Sequence, residues 1–403
     1  IDNFSNGNFN QAKIQAETLY LEYPNAVFLA NILGICFLNL GDNANAEKHL
    51  KNAFSLSPND FQTCSNLGLV LQKIGKFEEA IIYFKKAINL NKNVPELFFN
   101  FALCLNNIKD YKNAVINYEK SIKLQPKFGH AYYNLGLVYW KMNKLQNALE
   151  CLNKANELIS PVNPEIIASI GAVYKKTGDY ENAEKYTLSA IEEKNDSRFV
   201  FNLATIYRDQ GKINKAQELY EKVVESNPTF AEAYNNLGEV NRDLGNSDIA
   251  LRLFEKALSI DKNLSKANYN IAILFQDDGK FLNAINFFEK SNFSDWKAKI
   301  CYCLYKSNEE KKFKDSLNDV ITQKNWSPLI ASLSSHYSAS YKKEDKYNFC
   351  AEPFKFIKKV PMQILLDDET ELKDQIINDL KNTEIGKRKQ GRLINGVQSA
   401  GNL

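Results

Sequence analysis

One stretch constrains the fold more than any other. Ala231 to Leu264, AEAYNNLGEVNRDLGNSDIALRLFEKALSIDKNL, recurs in register, with substitutions, along most of the chain. Within it Tyr234, Leu237, Gly238 and Asn241 are spaced i, i+3, i+4 and i+7, so they share one face of a helix. Gly245 breaks that helix, and Ala250, Phe254 and Ala257 repeat the spacing on a second one. A helix, turn and helix of this size cannot bury its apolar face alone, so the units must stack on one another.

Eight full units begin at Val27, Phe61, Pro95, Gly129, Pro164, Ser197, Ala231 and Ser265. Their seventh and eighth positions hold Leu33-Gly34, Leu67-Gly68, Phe101-Ala102, Leu135-Gly136, Ile170-Gly171, Leu203-Ala204, Leu237-Gly238 and Ile271-Ala272. A small residue is required where paired helices cross closest, because extra methylenes there cost about 1–3 kcal/mol. Gly41, Gly75, Gly178, Gly211, Gly245 and Gly279 mark the turn, with Lys109 and Asn143 standing in for glycine in two units. On the second helix Ala46, Ala80, Ala114, Ala148, Ala183, Ala216, Ala250 and Ala284 recur, and Pro58, Pro126 and Pro228 close three units. The stretch from Ser160 to Pro164 carries a one-residue irregularity that the next unit compensates.

The period of 34 and this order of aromatic, Leu-Gly, Gly, Ala, aromatic, Ala and Pro resemble the tetratricopeptide repeat. The resemblance implies an all-α fold, a right-handed α-solenoid of helix-turn-helix repeats. Residues 27–296 are expected to form the eight repeats and residues 1–26 the second helix of a partial one, with further repeats upstream. Residues 297–340 read as a degenerate repeat and capping helices, with a first helix that opens at Trp296 and runs to Ser307, a second from Glu309 to Ile321 and a further amphipathic stretch from Trp326 to Ser340.

Beyond Tyr341 the pattern changes. Residues 341–403 combine a Lys- and aromatic-rich stretch, one helix from Asp367 to Thr383 and a basic, Gly-rich end with Lys387, Arg388, Lys389 and Arg392. FCAEPFKFI around Cys350 and the closing QSAGNL resemble the junction between such repeats and a 2-oxoglutarate and iron oxygenase domain of bacterial proteins. That resemblance implies a chain cut within a C-terminal domain, whose catalytic residues lie past Leu403.

Composition narrows the classes of function. A net charge of +3 gives no general electrostatic footprint for nucleic acid. No run of 18 apolar residues occurs, so no membrane span is expected. Cys36, Cys64, Cys104 and Cys151 fall on inward repeat positions and read as small buried hydrophobes in a reducing, cytoplasmic setting. The CxC of Cys301 and Cys303 lacks a second ligand cluster, so no metal and no cofactor is expected. His49, His130 and His336 lie far apart, with no His-x-Asp, nucleophile elbow or phosphate loop, and no catalytic residue is assigned.

Function is therefore sought in binding. In the family that the repeats resemble, positions two, five, six, nine and twelve of the first helix line the inner face. Position six reads Asn66, Asn100, Asn134, Asn202, Asn236 and Asn270, and position five offers Phe99, Tyr133, Phe201 and Tyr269. An amide carries a donor and an acceptor together, so a ladder of them can pair with the main chain of an extended peptide. This ladder is similar to that of the repeat arm of O-linked N-acetylglucosamine transferases; its alternative use is to satisfy backbone within the helix packing. A two-carboxylate clamp is not expected, since positions five and nine are mostly neutral. Arg198, Arg208 and Arg242 with Asp209, Asp243 and Asp277 make the later repeats more polar, either as a second subsite or as a solvated face. The first expectation is an interaction scaffold holding a protein or peptide in the concave groove. The alternative is the substrate-recruiting arm of an enzyme, an oxygenase, glycosyltransferase or sulfotransferase, whose catalytic domain follows Leu403.

Overall fold

A computed structural model describes residues 2–323 and 327–341. The described residues contain helices and no strand, and they fall into two compact units divided between Ile206 and Tyr207. The first unit opens with α1 (Asp2–Ser5) and α2 (Phe9–Glu22). Antiparallel pairs follow: α3 (Val27–Asn39) with α4 (Asn43–Leu56), α5 (Phe61–Lys73) with α6 (Phe77–Leu90), and α7 (Pro95–Asn107) with α8 (Tyr111–Leu124). Next come α9 (Gly129–Lys141) with α10 (Leu145–Leu158), α11 (Pro164–Thr177) with α12 (Tyr180–Glu193), and then α13 (Ser197–Asp209), which ends in the second unit.

The second unit continues with α14 (Ile213–Ser226), α15 (Ala231–Asp243) against α16 (Ser247–Ile260), and α17 (Ser265–Asp277) against α18 (Phe281–Ser291). It closes with α19 (Trp296–Lys306), α20 (Glu310–Thr322) and α21 (Pro328–Tyr341). Each unit is an all-α solenoid in which substantial packing joins helices one or two places apart in the chain. None of these helices is long and apolar enough to cross a membrane. The helix read at Asp367 to Thr383, the basic cluster near Lys387, the segment around Cys350 and Trp326 lie outside the described residues.

The helix starts follow from capping and turn chemistry. The Asp60 carboxylate accepts the Thr63 backbone N–H at 2.9 Å, and Asp42, Asp110 and Asp179 do the same for Asn45, Asn113 and Asn182. At the turns Gly41, Gly75, Gly178, Gly211, Gly245 and Gly279 all take positive φ, and so do Lys109 (64°) and Asn143 (60°). The N–H after each turn residue then reaches back to a carbonyl five residues earlier, as from Lys76 to Leu71 at 2.8 Å. The irregularity near Ser160 is a connection of one residue more than usual, Ile159 to Asn163, and only Lys194 to Asp196 link α12 to α13.

The pairs lock through a couple set 16 residues apart. A Cβ added to Gly34 would stand 2.4 Å from Leu50, one on Gly68 2.8 Å from Phe84, and one on Gly238 2.5 Å from Phe254. The partners Leu50, Phe84 and Phe254 are fully buried, and each such side chain contributes about 1.5–3 kcal/mol. Small residue and large partner thus occupy one packed site between the two helices of a pair.

Candidate functional site

Successive first helices touch one another in the first unit, α3 with α5, α5 with α7, α7 with α9 and α9 with α11, and α15 touches α17 in the second. Their exposed side forms a continuous wall within each unit. Five of the position-six asparagines lie on these helices and the sixth, Asn202, on α13, and the six are not equivalent.

In the first unit Asn66 is buried and committed. Its Nδ2 donates to Asn31 Oδ1 at 3.1 Å, and its Oδ1 accepts from Gln62 Nε2 at 3.0 Å. Asn100 and Asn202 are half-buried and bond to no other described residue. Asn134 is also half-buried; its Nδ2 donates to the His130 carbonyl of its own helix at 2.9 Å, and its Oδ1 is unclaimed. In the second unit both asparagines are buried. Asn236 Nδ2 donates to Tyr220 Oη at 3.2 Å and its Oδ1 accepts from Asn235 at 3.3 Å. Asn270 Nδ2 donates to Asn235 Oδ1 at 2.9 Å and to Glu239 Oε1 at 3.0 Å, while Arg242 Nη1 donates to Asn270 Oδ1 at 3.0 Å.

Asn236, preceded by Phe201 at position five, is closed by Tyr220 of α14, whereas Asn66 and Asn270 are closed by a residue that the repeat pattern alone passed over. Asn31 and Asn235 stand at position five, 35 residues before Asn66 and Asn270, and each takes the later amide. Where position five of the preceding repeat is Ser65, Phe99 or Ala168, the following Asn100, Asn134 or Asn202 has no such acceptor. An Asn followed 35 residues later by another Asn was the available signal.

The position-five aromatics divide as well. Phe99 is half-buried, with ring centroids 5.0 Å from Phe128 and 5.8 Å from Tyr118. Tyr133 on α9 and Phe201 on α13 are half-buried. Tyr269 in the second unit is held by Phe293 at 4.8 Å and donates its hydroxyl to Asp295 at 3.0 Å. Next to Phe99 the Tyr118 hydroxyl is sealed and has no hydrogen-bond partner, and burial pushes its pKa up. By register it matches Tyr220, which does receive an amide from Asn236.

In the second unit's wall the charges are tied to one another and to the amides. Arg208 Nη1 donates to Glu239 Oε2 at 2.7 Å, and Glu239 Oε1 also accepts from Asn235 at 3.0 Å. Of the charges expected to form a polar surface there, Arg208 and Arg242 are thus engaged within the protein. Arg198 in the first unit pairs with Asp196 and Glu165 instead, which holds the Asp196 carboxyl far below its usual range. The described residues contain no cluster of His, Cys, Asp and Glu able to hold a metal ion. Cys36, Cys64, Cys104, Cys301 and Cys303 are buried, and desolvation raises the Cys104 thiol to about 12.

Profiles of the tetratricopeptide repeat match residues 29–60, 61–94, 129–160, 164–197 and 198–263, and a TPR repeat profile matches 108–143. These matches cover more than half of the chain. The chain is a tetratricopeptide repeat protein.

Among curated proteins it resembles a TPR repeat-containing protein of Methanocaldococcus jannaschii, 30% identical over 94 residues. That alignment takes in 23% of this chain and 16% of the relative's length, so the chain spans a small part of the protein it matches. Among solved structures a tetratricopeptide repeat protein from Parabacteroides merdae is 22% identical with a TM-score of 0.52, over 60% of this chain and 96% of that one. This likeness is one of fold. YrrB, described as a TPR protein with an unusual peptide-binding site, is 27% identical with a TM-score of 0.36, over 46% of this chain and 95% of its own. MamA is 28% identical with a TM-score of 0.39, over 40% and 95%.

Proposed function

We propose that this protein is an interaction module that holds an extended polypeptide against the first-helix wall of its repeats. The observation that carries the reading is the set of amides left open at Asn100, Asn134 and Asn202, while the same position elsewhere is spent inside the protein. An open amide offers one donor and one acceptor, the complement of a peptide unit, without reading its side chain. Half-buried Phe99, Tyr133 and Phe201 beside them add rigid apolar area at small entropic cost. Asn66, Asn236, Asn270 and Tyr269 serve the packing instead.

The test starts from binders selected on the whole chain from a phage-displayed peptide library, with affinities measured by fluorescence anisotropy. Replacing Asn100 and Asn134 together by Ala should weaken the best binder about tenfold, the effect of two hydrogen bonds of about 0.5–1.5 kcal/mol each. The urea midpoint should not move. Asn270→Ala should behave oppositely, lowering stability by about 1–3 kcal/mol because it strands the buried Asn235 amide and removes the acceptor of half-buried Arg242. Equal affinity for the wild type and the Asn100/Asn134 variant would sink the reading.

A further inference from the structure

The wall of the first unit differs from that of the second in a way that bears on what it can hold. Fifteen side chains occupy positions two, five, six, nine and twelve of α5, α7 and α9, and only Glu96 among them carries a formal charge. Glu96 is solvent-exposed. Position nine is Leu69, Leu103 and Leu137, three half-buried leucines at one register on three touching helices. Lys73 and Lys141 follow position twelve on α5 and α9, where Lys73 Nζ donates to the Leu38 carbonyl at 2.8 Å and Lys141 Nζ to Asn106 Oδ1 at 3.1 Å. In the second unit position nine brings Glu239, tied to Arg208, into the corresponding row.

A charged side chain laid on the leucine row would lose water and meet no counter-charge, whereas an apolar one would gain contact. The open amides of Asn100 and Asn134 lie one turn before this row on α7 and α9, placed for the main chain of the same segment. From these observations we infer that α5, α7 and α9 take an extended, uncharged segment of a partner protein, its apolar side chains on Leu69, Leu103 and Leu137. The inference rests on the groove reading above and adds to it the chemistry of the occupant.

The same phage-displayed library, panned on the full chain, tests it. Enriched peptides should share a core of at least four residues without Asp, Glu, Lys or Arg. Placing one Asp or one Lys in that core should weaken binding tenfold or more, and Leu103→Glu should redirect enrichment toward peptides with Lys or Arg. Leu103→Thr, which copies the Thr205 found at the same register in α13, guards against a misfolded Glu variant and should abolish the apolar preference. Enriched cores that carry charged residues, or cores unchanged by both Leu103 substitutions, overturn the inference while leaving groove binding intact. Failure to enrich any peptide overturns both.

Discussion

At the residue scale, the glycine that faces Phe254 shows which effect decides. Alanine in place of Gly238 gains about 1 kcal/mol of helix propensity, but its methyl would stand 2.5 Å from a ring that is fully buried. Overpacking of that kind costs about 1–3 kcal/mol, and so close an approach belongs to its upper half. Gly238→Ala is expected to lose about 1–2 kcal/mol net, read as a lower urea midpoint. Tyr118 poses the reverse case. Its hydroxyl is buried without a partner, so Tyr118→Phe removes a desolvation penalty and should stabilise the protein by about 1 kcal/mol; a drop in stability would reveal a bond the structure does not show. The turn and crossing positions were legible in the sequence because backbone sign and steric room admit few residue types. Lys109 could be placed in the left-handed turn by register alone. The open and closed asparagines were not separable in that way, since residue and register are the same for Asn66 and Asn100. Their difference lies in a neighbour contributed by the preceding repeat.

At the scale of elements, His49 joins three helices. It sits on α4, stacked on Phe37 of α3 at 5.4 Å and edge-on to Tyr20 of α2, also at 5.4 Å. Desolvation lowers its pKa below 6.5, helped by Lys48 and opposed by Glu17. The folded ring therefore resists protonation more than the unfolded one. Stability from this group is complete above the unfolded pKa near 6.5 and declines as pH falls below it, because the unfolded chain then binds the extra proton. A titration of the His49 ring followed by NMR should show a midpoint below 6.5, and the urea midpoint should fall as pH drops below the unfolded value. His49→Phe should flatten that decline. A midpoint above 6.5 would mean that the stacked ring is stabilised as a cation. The position of His49 on a second helix was readable from the repeat; its aromatic partners depend on how α2 leans on the next pair, which periodicity does not encode.

At the scale of the molecule, each unit is built by substantial packing between described helices one or two places apart in the chain. Energetics should then be local, a sum of units and neighbour terms. Hydrogen exchange on Gly238→Ala should accelerate amides of α15 to α18 and leave those of α5 to α8 at wild-type protection. Uniform acceleration over the whole chain would contradict this. The all-α architecture was the most legible property, because every repeat restates it. The difference in charge between the two walls was the least legible, because it rests on single departures from the common residue, such as Glu239 where three repeats have leucine.

The 16-residue couple has a bearing on how such a chain can vary. Gly34 and Leu50, Gly68 and Phe84, and Gly171 and Thr187 each lie inside one repeat, so their matched sizes are inherited together. A duplication or deletion of one whole period at the DNA level carries both halves of the fit and leaves no misfitted pair behind. A crossover in the middle of a period joins the small residue of one repeat to the partner of another, and the array is then least tolerant where the two came from couples of different bulk.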